Sequence, residues 1–135
     1  MSFKHYINYL YYARYRNGHG VHSPFMYHFT VNILSRKRGK DEGKDKVTRL
    51  ISRFELFCKE NNLQLIKINT LADIPSLKEN NLAYIPYPYQ SKENIRIWNQ
   101  LQRNKLVSVS CDIYKIGFVF TLPKLQKQHY CMLFK

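Results

Sequence analysis

The chain has 135 residues, 44% of them hydrophobic, with 11 Tyr, 8 Phe and a net charge of +13. That is the length of one domain and a globular composition, which excludes a disordered or fibrous chain. No apolar run reaches the roughly 18 residues of a membrane span, and "MSFKHYINYL" lacks the apolar core and small-residue cleavage site of a secretory signal, so a cytoplasmic protein is expected.

Residues 2–16 predict a first helix, with Phe3, Tyr6, Ile7, Leu10, Tyr11 and Ala13 at helical spacing and Gly18 as its stop. Ser23 and Pro24 read as N-cap and first helical residue of a second helix running to about Arg36, with Phe25, Phe29, Ile33 and Leu34 inward. The charged, Gly-interrupted stretch "SRKRGKDEGKDK" (35–46) is the best linker candidate. A third helix over 44–61 carries Val47, Leu50, Ile51, Phe54 and Cys58 at core spacing. Strands are expected at 63–68 and 82–86. Ser91 then caps a helix over 92–103 that buries Ile95, Trp98 and Leu101, and 106–113, 115–122 and 129–134 are the last strands.

The three cysteines, Cys58, Cys111 and Cys131, show no CxxC spacing. Buried free thiols are the preferred reading, with a Cys111–Cys131 bridge as the alternative. The fold class is α/β in one domain: a helical amino-terminal segment (1–38), a charged loop (39–46) and an α/β part (47–135). The amino-terminal helices pack on a small mixed sheet, the 92–103 helix covers one face, and an antiparallel hairpin closes the chain.

"HGVHSPFMYHF" (19–29) resembles the amino-terminal segment of a group of bacterial class I S-adenosylmethionine-dependent methyltransferases best known from the Bacteroidetes. The segment from Tyr89 to Phe134 is similar to their last strand–helix–strand–hairpin, with Ser91, Trp98, Asp112 and Gly117 on the pattern. The resemblance implies a partial Rossmann-like topology at the carboxy-terminal end. The stretch between the two similar parts is too short for the cofactor-binding half of such an enzyme. None of the five glycines (18, 20, 39, 43, 117) belongs to a GxGxxG loop between a strand and a helix. Where the relatives carry paired acids before the Ser-capped helix, this chain has Pro86 and Tyr87, which cannot act as a carboxylate ligand or base. No bound cofactor is therefore expected.

The candidate sites follow from charge. No acid precedes Asp41, while Lys4, Arg14, Arg16, Arg36, Lys37, Arg38 and Lys40 do, a field that favours a polyanion. Arg14, Arg16, His19, His22 and Ser23 form a candidate anion site at the start of the second helix. The competing and preferred reading of "RNGHGVHSPF" is a helix–corner–helix joint, since its stop and cap residues explain the pattern. His19 and His22 have too few companions for a metal site. Tyr6, Tyr9, Tyr11, Tyr12 and Tyr15 could stack bases beside basic residues, but no nucleic-acid-binding signature accompanies them. No Ser-His-Asp or Cys-His constellation is legible, and Asp112 is expected to cap the turn towards Gly117. The leading expectation is a non-catalytic, methyltransferase-like remnant that acts as an accessory or interaction module, with a protein partner or a second copy covering its exposed edge. The rivals are an S-adenosylmethionine-dependent enzyme completed by a partner chain and a basic nucleic-acid-associated protein.

Overall fold

A computed structural model describes residues 24–132. The expected helix over 2–16 and the corner ending at Ser23 lie outside the described residues.

The first described helix, α1 (Pro24–Phe29), continues as a π-helical turn over Thr30–Leu34. The wider turn shifts the helix phase. Met26, Phe29, Thr30 and Leu34 are buried, whereas Phe25 and Ile33, expected inside, are half-buried. The turn closes with the Ser35 N–H on the Thr30 carbonyl at 2.8 Å.

Helix α2 (Lys46–Glu60) starts where Asp45 accepts the Thr48 N–H at 2.9 Å. Val47, Leu50, Phe54 and Cys58 are buried, as their spacing predicts, and Ile51 is half-buried. Asn62, in the left-handed region at φ 56°, ends the helix, and Leu63 N–H reaches back to the Cys58 carbonyl at 2.9 Å. Asn fills this position because its short polar side chain tolerates that backbone conformation better than most.

Strand β1 (Gln64–Lys67) leads to a 3-10 turn over Leu71–Ser76, an element the sequence reading lacks. Asp73 holds that turn by accepting the N–H groups of Asn69 and Thr70 at 2.8 and 3.0 Å. Strand β2 (Asn81–Pro86) and helix α3 (Lys92–Arg103) follow, with Ser91 accepting the Asn94 N–H at 3.0 Å. Ile97, Trp98 and Leu101 are buried, and Ile95 is only half-buried. The helix is rolled so that the Ile97 flank meets the sheet. Strands β3 (Val109–Asp112), β4 (Ile116–Phe120) and β5 (Gln128–Cys131) complete the sheet.

The strand order is β1-β2-β4-β3-β5. Pairs β1–β2 and β3–β5 are parallel, and β4 runs antiparallel to both of its neighbours. The antiparallel hairpin expected at the end of the chain lies one strand earlier, between β3 and β4. Both edges of β4 are occupied, by β2 and β3, so β5 joins the sheet at the outer edge of β3.

Helices cover both faces. On one, Phe29 meets Phe118 and Phe120 at 5.5 and 5.2 Å between ring centroids, within a core that includes Met26, Leu50 and Phe54. On the other, Ile97, Trp98 and Leu101 pack on Ala83, Ile85 and Val119. None of the described helices is long and apolar enough to cross a membrane.

The charged stretch after the π turn is anchored by a side chain that the helical pattern does not mark as inward. Arg53 is buried on α2, and its five N–H donors are all used. Two go to Glu42 at 2.8 and 2.9 Å, and three to the carbonyls of Ile33, Arg36 and Lys37 at 2.6, 3.0 and 3.3 Å. Glu42 also accepts the Gly39 N–H at 2.7 Å. Arg53 thus holds the end of the π turn and the loop together in one planar fork.

Candidate functional site

Open α/β sheets bind ligands outside the carboxyl ends of their parallel strands. Here β1, β2, β3 and β5 all run in one direction, and β1 and β2 are neighbours at one side of the sheet. A cavity of about 210 Å³ lies at the carboxyl ends of these two, lined by Lys67, Ile68, Asn69, Ile85, Pro86, Tyr87, Gln90 and Asn94. Pro86 closes β2, and Tyr87 turns the chain away at φ 53°. The Tyr87 N–H donates to the Lys115 carbonyl at 2.7 Å, and its carbonyl accepts the Asn94 side-chain amide at 3.1 Å. The lining offers amides and one lysine, with no carboxylate and no glycine. The lining lacks the Gly-rich turn and strand-end acid that dinucleotide sites in doubly wound folds use. The cavity is also smaller than the 300–1,000 Å³ typical of ligand pockets.

Beside this cavity the four residues of the carboxy-terminal pattern serve one structure. Asp112 and Gly117 are cross-strand partners on β3 and β4. The Trp98 ring lies over Gly117, where a Cβ would stand 2.8 Å from it. Ser91 caps the helix that delivers Trp98. Asp112 accepts the Tyr114 N–H at 2.8 Å, which stabilises a turn residue at φ 69°. This is the turn-capping role read from the sequence. The other carboxylate oxygen accepts the Tyr89 hydroxyl, and Tyr89 stacks on Tyr114 at 5.7 Å. Burial raises the Asp112 carboxyl above its ordinary value, against the opposing hydrogen bonds of Tyr89 and Tyr114. Burial and then the Asp112 charge raise the Tyr89 hydroxyl.

A second polar pair lies on the same sheet face. Ser110 and His129 face each other across β3 and β5, with Ser110 Oγ 2.6 Å from His129 Nδ1. The next pair on that face is Asp112 and Cys131. The sheet therefore brings Ser110, His129, Asp112 and Cys131 onto one face, an assembly that the sequence reading missed. No local signal marks it, because it exists only once β5 pairs with β3.

Its chemistry is that of a buried hydrogen-bonded cluster. Ser110 is buried, and both Asp112 oxygens are engaged by tyrosine donors, so no acid–base–nucleophile relay is lined up. Burial, followed by the Asp112 charge, pushes the Cys131 thiol up to about 12, far from a thiolate. His129 stands at the exposed rim, and burial of its inner edge lowers its pKa against the opposing Asp112 charge. Among the described residues no group of three or more His, Cys, Asp or Glu is placed to hold a metal ion.

The cysteines are free, with Cys58 and Cys111 buried and Cys131 half-buried. Cys111 pairs with Tyr130 and Cys131 with Asp112, so the two thiols project from opposite faces of the sheet. That placement removes the Cys111–Cys131 bridge considered from the sequence.

The candidate anion site (Arg14, Arg16, His19, His22 and Ser23) lies outside the described residues. So do the five tyrosines of the 2–16 segment. Compared with known proteins, the chain matches no family model, no curated protein sequence and no solved structure.

Proposed function

We propose that the protein is a non-catalytic, methyltransferase-like remnant that works as an accessory or interaction module. The observation that carries this reading is the outer edge of β1, which ends the sheet and pairs with nothing among the described residues. On the family resemblance, the missing cofactor-binding half would have continued the sheet beyond that edge. An edge strand presents unpaired N–H and C=O groups that template association. The small acid-free cavity at the carboxyl ends of β1 and β2 supports the same reading, since it lacks a Gly-rich turn, a strand-end acid and the room typical of ligand pockets. Calorimetric titration with S-adenosylmethionine tests it. No saturable heat is expected, and micromolar saturable binding by the isolated protein would overturn it. Binding that needs a co-purified second chain would favour an enzyme completed by that partner.

A second reading, a nucleic-acid-associated protein, is favoured by one surface. Arg36, Lys37, Arg38, Lys40, Lys44 and Lys46 are all exposed on the segment leading into α2, while Glu42 beside them is bound by Arg53. Loose phosphate binding there would show as an RNA gel shift with a steep log-salt slope.

A further inference from the structure

We infer that two copies of this chain pair through the outer edges of β1, antiparallel about a two-fold axis at Ile66. This rests on the interaction-module reading and assigns that module its partner.

Hydrogen-bond direction along β1 carries the inference. The Gln64 N–H donates to the Asn80 carbonyl at 3.1 Å, and the Ile68 N–H donates to the Tyr84 carbonyl at 2.9 Å. Backbone groups alternate sides along a strand, so Gln64, Ile66 and Ile68 turn theirs towards β2. Leu65 and Lys67 turn both their N–H and C=O outward, to the edge with no neighbour among the described residues.

Two outward residues two positions apart can be satisfied by a second copy of themselves. In antiparallel pairing, opposite residues alternate between exchanging both hydrogen bonds and exchanging none. Placing Leu65 opposite the second copy's Lys67 lets each pair exchange two bonds, four across the interface. Ile66 then faces its own counterpart as the non-bonded pair on the axis.

The neighbouring registers are worse. Sliding the axis to Lys67 sets two lysines directly opposite, which is destabilising. Sliding it to Leu65 calls on the Leu63 N–H, already committed to the Cys58 carbonyl at 2.9 Å. The Ile66 register also suits the side chains. Leu65 and Ile66 are half-buried apolar residues on opposite faces of β1, each at the margin of one core. Pairing would bring two β-branched side chains together on one face and set Leu65 along the lysine stem of the other copy on the second. Two five-stranded sheets would become one continuous sheet.

The test combines a cross-link with a backbone block. Opposed non-bonded antiparallel residues lie at about the Cα separation a disulfide needs. Ile66→Cys, oxidised, is expected to give a covalent dimer on a non-reducing gel that neither the wild-type protein nor Leu65→Cys gives. Leu65→Pro removes one outward N–H and leaves the β1–β2 ladder intact, since proline is tolerated where an edge N–H faces solvent. It is expected to sediment as a monomer with an unchanged circular dichroism spectrum, while the wild-type protein shows a concentration-dependent dimer. A wild-type monomer throughout the concentration series overturns the inference. A dimer that Ile66→Cys does not cross-link also overturns it and leaves the interaction-module reading standing with another surface. Should Leu65→Pro unfold, the cross-link alone decides. Saturable S-adenosylmethionine binding would sink the underlying reading whatever the oligomeric state.

Discussion

Gly117 is where a single atom matters most. A methyl group there would stand 2.8 Å from the ring of Trp98, itself buried and pinned by α3. At that distance something must shift, and the contact is a buried ring rather than the end of a flexible side chain. Gly117→Ala is therefore expected to destabilise by ~1–3 kcal/mol, the usual cost of overpacking, read as a lower urea midpoint. Asp112 needs its tyrosine donors for a related reason, because burial makes its charge costly. Its carboxyl is raised in the folded state, so its contribution is fully present below the unfolded value near 3.8 and is lost as pH rises through the raised one. Tyr89→Phe removes one donor and raises that carboxyl further. A loss of ~1–3 kcal/mol is expected at neutral pH, shrinking as the solution is acidified, in paired melts across a pH series. The thiols follow the same rule of burial. Cys58 is pushed up to about 11 and Cys131 to about 12, and Cys111 is raised well above its ordinary value, all first by desolvation. At mildly alkaline pH a disulfide reagent should label the native protein slowly and all three cysteines promptly in denaturant.

At the scale of elements, α2 and the charged segment before it behave as one unit because Arg53 joins them. Arg53→Met would strand the carbonyls of Ile33, Arg36 and Lys37 and leave Glu42 to solvent, at ~1–3 kcal/mol for lost hydrogen-bond partners. Trypsin should then cut at Arg36, Lys37, Arg38, Lys40 or Lys44 well before the rest of the chain. Arg53→Lys should not restore resistance, since one ammonium cannot reproduce the planar fork. The Glu42 end has its own pH signature. Its carboxyl is lowered from 4.5 to about 2, chiefly by the Arg53 hydrogen bond and then by the Gly39 N–H. The stability it contributes is present above about 4.5 and is lost as pH falls towards about 2. Glu42→Gln should flatten the stability profile across that window and leave the neutral-to-alkaline side unchanged in slope. Helices α2 and α3 were legible in the sequence. Ser91 marks the start of α3, and the Val47–Leu50–Phe54–Cys58 stripe of α2 repeats at helical spacing, whereas the Asp45 cap emerged only in the structure. The inward turn of Met26 and Thr30 was not legible, because it depends on a π turn that no residue type announces.

In the whole molecule, a helical layer lies on each face of a sheet whose middle strand runs against the other four. Its two outer edges differ in what they offer. The β1 edge carries the Leu65 and Lys67 backbone groups proposed to meet a second copy, while β5 sets Ser110 against His129 and Asp112 against Cys131 inside the sheet. By itself the sequence determined the α/β class, the limits of α3, those of α2 to within two residues, the positions of all five strands to within a few residues, and Asp112 as a turn cap. Those features follow from capping chemistry and side-chain periodicity, which act across a few neighbouring residues. Only the tertiary structure decided the strand order, the parallel seat of β5, the burial of Arg53 and the meeting of Ser110 with His129. Each of these depends on which strand edge or backbone carbonyl is left free once distant segments have packed, and residues that far apart share no local pattern.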